Sequence, residues 1–483
     1  MGVAIVLVRL LTKEQFGSYR QVMLVGMFLA GLLGMQLQQS LYYFVPKLGR
    51  DRRRSLLVQT LFLAAVGGVA AAAIMFFGAR PLAQQFGNPS LTSLLTVFCV
   101  FPLLHIVLQI VPHFMISADR AARGCVYIIA REMVRAGVVV SVAAMGASVG
   151  SLLISLLVGT GVLALVGIAD MYRLSPGRAM PVDRGLVRAQ LAYVVPMAAA
   201  VMVGVTKKFF DKVLIGTFFN TEEFAVYVVG AIELPVSAVV TSSMFAAIMP
   251  NLVKQWDEGR TEQMLGLWRQ AVRTTSIVVY PLFFAILICA QDLVLLMYGE
   301  AYREAAYPLM IYVFILPIRV AVYGAFLRAV GRTRPVFIGA ALALVANVVF
   351  SVGILMAARQ LLGEKALLAF LAPAIGTVLA AGCSAMYLIV AAGRAAGHGF
   401  RRIMPWGELA RLLSIAALAG AAAYVAPVHG LPLVLRILVR GGGSVGLFLL
   451  LTAVSGTLKP DEMRMLTAPL RVLRRLSFNR KGG

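Results

Sequence analysis

Apolar runs of about 20 residues recur from Gln21 almost to the C-terminus, broken by short polar connections, and each is long enough to cross a ~30 Å hydrocarbon core as a helix. Short alternating segments are missing from the pattern, which argues against a β-barrel. The pattern predicts thirteen spans: Gln21 to Val45, Ser55 to Phe77, Leu91 to Ser117, Tyr127 to Ala147, Ser151 to Met171, Leu191 to Phe219, Phe224 to Val253, Thr274 to Tyr298, Ala305 to Val330, Pro335 to Ala358, Ala366 to Ala392, Leu409 to Pro427 and Leu431 to Gly456. The stretch Gly2 to Leu11 is too short to span and reads either as half a helix or as a first span whose beginning is missing. No basic region precedes it and no small-residue cleavage site follows, so it counts as helix one rather than as a signal peptide. The predicted fold is all-α, a polytopic membrane protein of about 14 transmembrane helices.

An internal repeat organises these helices. Lys13 to Tyr19, KEQFGSY, is echoed by Thr221 to Tyr227, TEEFAVY, and each string opens an apolar run that closes on a proline, Pro46-Lys47-Leu48 or Pro250-Asn251-Leu252. Downstream, Phe86-Gly87 pairs with Tyr298-Gly299, and Pro102 with Pro317. Six helices separate equivalent positions, an even number, so the copies enter the membrane with the same polarity as parallel repeats. Two pseudo-symmetric six-helix lobes are expected, at 1–173 and 191–395, joined by a cytoplasmic linker at 174–190. Two additional helices follow at 396–457, then a basic cytoplasmic tail at 458–483. Pro102, Pro112, Pro196, Pro235, Pro281, Pro317 and Pro373 fall inside spans, where a lost backbone N–H predicts kinks. Trp256 to Arg273 reads as an amphipathic segment on the cytoplasmic surface, with Met264, Leu265, Leu267 and Trp268 available for the interface.

Composition agrees, with 60% hydrophobic and 13% charged residues leaving no room for a water-soluble globule. The net charge of +24 raises the question of nucleic acid, but its distribution answers it: connections on one side carry 29 of the 44 Lys and Arg, against 6 on the other. That asymmetry is the positive-inside pattern and places both termini in the cytoplasm. Lys47 to Arg54 and Arg471 to Lys481 therefore set topology first and contact anionic lipids second. No nucleic-acid partner, metal or cofactor is expected. Cys99, Cys125, Cys289 and Cys383 are scattered singly, His105, His113, His398 and His429 lack metal-ligand spacing, and no phosphate-cradling GxxxxGK[ST] loop occurs.

Nine basic residues remain within or at the ends of spans, namely Arg9, Arg131, Arg135, Lys207, Lys208, Lys212, Arg319, Arg436 and Arg440, against Glu132, Asp211 and Glu233 at comparable depth. A charge there costs about 2.5 to 3.5 kcal/mol even on the lenient insertion scale, so such residues normally face an interior or a cavity. In the densest cluster, Lys207 and Asp211 lie one turn apart, as do Lys208 and Lys212, so one helix face offers an ion pair and the next offers two cations. The double-lysine stripe suits an anion; the other reading is lysines snorkelling to headgroups. Arg135, Arg319 and Arg436 are deeper and join Lys207, Lys208 and Lys212 as candidates for a cationic, substrate-binding cavity. Asp211, Glu233 and Glu132 are candidates for ion coupling or for plain charge balance. No paired-carboxylate or His/Asp constellation on a large loop suggests an enzyme.

The strings VRLLTKEQFGSY (Val8 to Tyr19), FFDKVLIG (Phe209 to Gly216) and LVLLMYGEAYREAAYPL (Leu293 to Leu309), with Gly331 followed by Asn347, resemble the polysaccharide-repeat flippases of the multidrug, oligosaccharidyl-lipid and polysaccharide exporter superfamily. The resemblance implies two six-helix lobes forming a V, followed by two extra helices. It also implies passage of an undecaprenyl-pyrophosphate-linked oligosaccharide from the cytoplasmic to the outer leaflet of the bacterial inner membrane by alternating access, in surface or exopolysaccharide biosynthesis. Expected partners are that lipid-linked oligosaccharide, membrane lipids, a polysaccharide polymerase and other assembly proteins. An ion-coupled antiporter of drugs or organic cations on the same fold is the alternative. Family members carry a complete first helix before the RLL string, where this chain has Gly2 to Leu11.

Overall fold

In a computed structural model, residues 2–48, 50–175, 184–232, 235–363, 366–428 and 430–458 are described, and every regular element among them is a helix. The chain opens with α1 (Gly2–Leu10), α2 (Lys13–Leu33), α3 (Leu37–Lys47), α4 (Arg50–Phe77), α5 (Ala79–Gln85), α6 (Leu91–Phe98), α7 (Phe101–Ser117), α8 (Ala121–Ala144), α9 (Val149–Leu174), α10 (Arg184–Phe218) and α11 (Thr221–Gly230). It continues through α12 (Pro235–Asp257), α13 (Thr261–Tyr298), a 3₁₀ turn at Glu300–Ala305, α14 (Ala306–Val313), α15 (Ile315–Ile318), α16 (Tyr323–Ala329), α17 (Arg334–Leu362) and α18 (Leu367–Ala395). The remainder is α19 (Phe400–Ile403), α20 (Trp406–Val425), α21 (Leu433–Ile437), a π turn at Leu438–Gly442 and α22 (Gly443–Val454). Ten stretches of the described residues are long and apolar enough to cross a membrane, each coinciding with a predicted span. The other predicted spans correspond to α8, α10 and α11 with α12. Charges dilute the apolar runs of α8 and α10, and the third is split between Gly230 and Pro235.

The chain divides into two units, Met1–Gly230 with Leu344–Thr377, and Ala231–Ala343 with Val378–Gly483. In the first unit α2 is the central element, packing against α4, α7, α10 and α11. Its start shows why the repeat strings resemble one another. Thr12 and Gln15 form a capping box, with Gln15 N donating to Thr12 Oγ1 at 3.2 Å and Thr12 N donating to Gln15 Oε1 at 3.1 Å. Asn220 and Glu223 repeat the arrangement at α11, with Glu223 N donating to Asn220 Oδ1 at 2.8 Å and Asn220 N donating to Glu223 Oε2 at 3.0 Å. Each box satisfies orphan amides that a helix start leaves exposed. The following aromatics, Phe16 and Tyr19 in one copy and Phe224 and Tyr227 in the other, are all buried. Helices α2 and α11 touch where Gly17 meets Thr221, a contact so close that a Cβ on Gly17 would collide with the Thr221 carbonyl oxygen.

The second repeat pair has an equally local cause. Gly87 and Gly299 both take positive φ, +56° and +82°, and end α5 and α13 in a conformation that side chains resist. Asn88, beside Gly87, donates to Ser18 Oγ and to Gln21 Oε1, each at 2.9 Å, and so ties this turn into α2. Pro102 sits in the first turn of α7, and Pro317 within the short α15 that follows the break at Phe314. Pro235 is the first residue of α12, where the missing N–H has no partner to lose. Pro112, Pro281 and Pro373 lie inside helices that continue past them.

Two expectations need correction. The predicted span Gln21 to Val45 is not one helix: α2 stops at Leu33 and α3 starts at Leu37, with Met35 and Gln36 in left-handed conformations between them. Nor does Trp256 to Arg273 lie flat on a membrane surface. From Thr261 it is the first part of α13, whose 38 residues extend about 57 Å, far beyond a ~30 Å core. Met264, Leu265 and Trp268 are fully buried within the second unit, with Trp268 packed between Phe245 and Phe326 at ring separations of 4.9 and 5.2 Å. In that unit α20 packs on α13 and α22, and Arg273 donates to Glu408 Oε2 at 2.6 Å, fastening α20 to α13.

Candidate functional site

The first unit encloses a cavity of about 250 Å³ walled by α1, α2, α8, α10 and α11. Its cations come from three helices: Arg20 from α2, Arg135 from α8, and Lys208 and Lys212 from α10. Lys208 and Lys212 share a face because they are four residues apart, and Lys212 Nζ lies 3.5 Å from the Lys208 carbonyl oxygen. No carboxylate is among the lining residues; Leu7, Met23, Leu24 and Phe209 supply apolar wall between the charges. Tyr19 adds the one hydroxyl of the lining.

Acidic groups stand behind this wall. Asp211, 1% exposed, accepts from Lys212 Nζ at 3.2 Å, from the Lys212 backbone N–H at 2.9 Å and from Tyr227 Oη at 3.5 Å. A buried carboxylate is tolerable only when its lone pairs are met in this way. Glu132 bridges Arg131 at 3.3 Å and Arg135 at 2.7 Å. Arg131, Glu132 and Arg135 also line a second cavity of about 370 Å³, walled mainly by α7, α8 and α9, which shares Met27 and Arg135 with the first.

These features sit in a recognisable scaffold. The chain belongs to the polysaccharide biosynthesis protein family. The family's sequence profile matches residues 6–307, a range that includes the strings Val8 to Tyr19 and Phe209 to Gly216. Among solved structures the chain is similar to the lipid II flippase MurJ in an inward closed conformation, with TM-score 0.71 and 11% identity over 97% of this chain and 96% of that one. It is also similar to a multidrug resistance MATE family transporter of the MOP superfamily in an inward-facing conformation, with TM-score 0.64 and 13% identity over 82% of this chain and 93% of the other. A MOP superfamily transporter from Pyrococcus furiosus, described as having a binding pocket of reverse polarity, aligns with TM-score 0.53 and 14% identity over 82% and 91% of the two chains. No curated protein sequence matches this chain. At such identities the likeness is one of fold, and the fold is that of the MurJ and MATE transporters.

Of the site residues expected from sequence, the structure of this polysaccharide biosynthesis protein brings together Lys208, Lys212 and Arg135. Lys207 is on the same helix but is not among the lining residues of either cavity. Arg319 and Arg436 belong to the second unit. Arg319 ends α15, and its carbonyl accepts from Thr241 Oγ1 at 3.2 Å. Arg436 pairs with Asp292 at 3.3 Å, which adds a fourth carboxylate to the three counted at membrane depth. Glu233 lies outside the described residues, as do His429, positions 176–183 of the linker and the tail from 459 onward. Sequence reasoning missed Arg20, which it assigned to a connection before Gln21; the helix begins at Lys13 and carries Arg20 inward. It also passed over Gln109, although His105, Gln109 and His113 recur at every fourth position of α7, a readable polar stripe.

Proposed function

We propose that this protein is a flippase that carries an undecaprenyl-pyrophosphate-linked oligosaccharide, the repeat unit of a surface or exopolysaccharide, from the cytoplasmic to the outer leaflet by alternating access. The observation that carries the reading is the cavity lined by Arg20, Arg135, Lys208 and Lys212 with no carboxylate in its lining. A pyrophosphate is the matching ligand. Arginine meets phosphate oxygens with two parallel N–H donors, and lysine adds compact point charges. A volume of about 250 Å³ suits a headgroup rather than an isoprenoid chain or a whole oligosaccharide. Membership of a polysaccharide biosynthesis family and a fold shared with a lipid II flippase support the same reading. In this proposal Asp211 and Glu132 balance charge, and Lys207, Arg319 and Arg436 carry no substrate role. Both termini face the cytoplasm, following the excess of Lys and Arg in the connections of that side.

The MATE transporters share this fold, which keeps an antiporter of organic cations as the second reading. Four cations around one cavity oppose it, because like charges repel a cationic drug. Protein-containing liposomes bearing the lipid-linked oligosaccharide separate the two, scored by the fraction of glycolipid that becomes accessible from the opposite leaflet, with and without an ion gradient. Protein-dependent movement of the glycolipid is expected. Uptake of an organic cation without glycolipid movement would sink the proposal in favour of the antiporter.

A further inference from the structure

The second cavity has a different chemistry from the first. Its volume of about 370 Å³ falls in the range of small-molecule sites, and its lining mixes donors and acceptors instead of presenting cations alone. Along α7, His105, Gln109 and His113 form one stripe that faces it; Arg131, Glu132 and Arg135 of α8 and Thr160 of α9 complete the polar lining.

Two of these side chains are held in defined hydrogen-bonding roles. His113 Nδ1 lies 2.8 Å from the Gln109 carbonyl oxygen. A carbonyl can only accept, so Nδ1 carries the proton and Nε2 is left as an acceptor in the neutral ring. The Gln109 side-chain oxygen accepts from Gln38 Nε2 at 3.2 Å, which directs that end of the amide toward Gln38 and makes its NH₂ the donor end. Gln38 follows the left-handed break at Met35 and Gln36, so the interruption of the helix after α2 places it against α7. Tyr42, one turn further along α3 and 42% exposed, packs its ring 5.2 Å from the His113 ring. Among the described residues no three of His, Cys, Asp and Glu cluster around these imidazoles as metal ligands would.

A sugar ring is the ligand whose chemistry fits, because each hydroxyl both donates and accepts. In this chamber Arg131 and Arg135 share the one carboxylate of Glu132, whereas no carboxylate lines the phosphate-type cavity next to it. Arg135 lines both cavities, so a ligand with a pyrophosphate in one would present its adjoining sugar to the other. Resting on the flippase reading above, we propose that the second cavity is the seat of the carrier-proximal sugar, recognised through its hydroxyl and amide groups by Gln109, His113, Glu132 and Arg131.

The test compares the affinity of the purified full chain for two probes, undecaprenyl pyrophosphate and undecaprenyl-pyrophosphate-linked N-acetylhexosamine. The sugar-bearing lipid is expected to bind about tenfold more tightly, the value of one or two good hydrogen bonds. Gln109→Leu is expected to bring that ratio toward one, whereas Lys208→Ala weakens both lipids alike. Equal affinity of the unaltered protein for the two lipids would overturn the sugar seat and leave the flippase reading standing. Binding of neither lipid would overturn both. The comparison on the unaltered protein decides the matter even if Gln109→Leu fails to fold.

Discussion

Asp211 is 1% exposed on a helix that carries Lys207, Lys208 and Lys212 around it. Its partners identify its work as neutralising Lys212, whose side chain is itself only 18% exposed. Asp211→Asn keeps the shape but leaves the lysine charge without its counter-charge, and breaking a buried pair on one side costs about 3 kcal/mol. The Asp211→Asn protein is therefore expected to melt at a clearly lower temperature in detergent, and Lys212→Met added to it is expected to recover most of the loss. Additive losses in the double variant would show that the two do not act as a pair. Lys208 presents the opposite case, a cation of the cavity wall beside Phe209, with its ammonium 5.9 Å from that ring's centre. Lys208→Ala should lower glycolipid transport roughly tenfold or more at equal protein abundance, since a charge-assisted hydrogen bond contributes about 1.5 to 3 kcal/mol. Unchanged transport would return the lysine stripe to snorkelling.

At the scale of elements, the repeat is a statement about helix starts. The strings KEQFGSY and TEEFAVY resemble one another because each stands at a capping box and then inserts an aromatic pair into the interior. At one position where the two copies differ, Gly17 against Ala225, the difference is steric: only a glycine lets α2 approach the Thr221 carbonyl. Gly17→Ala is expected to destabilise the protein by about 1 to 3 kcal/mol, the ordinary cost of overpacking, and thermal unfolding in detergent measures it. An unaltered melting temperature would mean that the crossing of α2 and α11 relaxes freely. The element boundaries also show how reading the apolar pattern can mislead. The break falls where the apolar run of α2 gives way to Gly34, Gln36, Gln38, Gln39 and Ser40, and a reading that bridged these polar residues ran α2 and α3 together. The break is sustained by contacts from elsewhere in the chain, such as Gln38 with Gln109, 71 positions away.

For the molecule as a whole, α2 and α11 open the two copies of the repeat, and both lie in the first unit. The sequence by itself determined that the chain is a helical membrane protein, that it carries an internal repeat and a family likeness, and that Lys208 and Lys212 share a face. The first follows from composition, the repeat and the likeness from matching strings, and the shared face from the fixed 3.6-residue period of a helix, none of which needs knowledge of neighbours. Only the tertiary structure decided that Arg20 and Arg135 join those lysines, that Asp292 answers Arg436, and that Trp268 is buried in protein and does not face lipid. The reason is physical. Lipid tails are as apolar as a protein core, so a hydrophobic face carries no record of which of the two covers it, and helix partners are chosen by packing and hydrogen bonds between residues far apart in the chain.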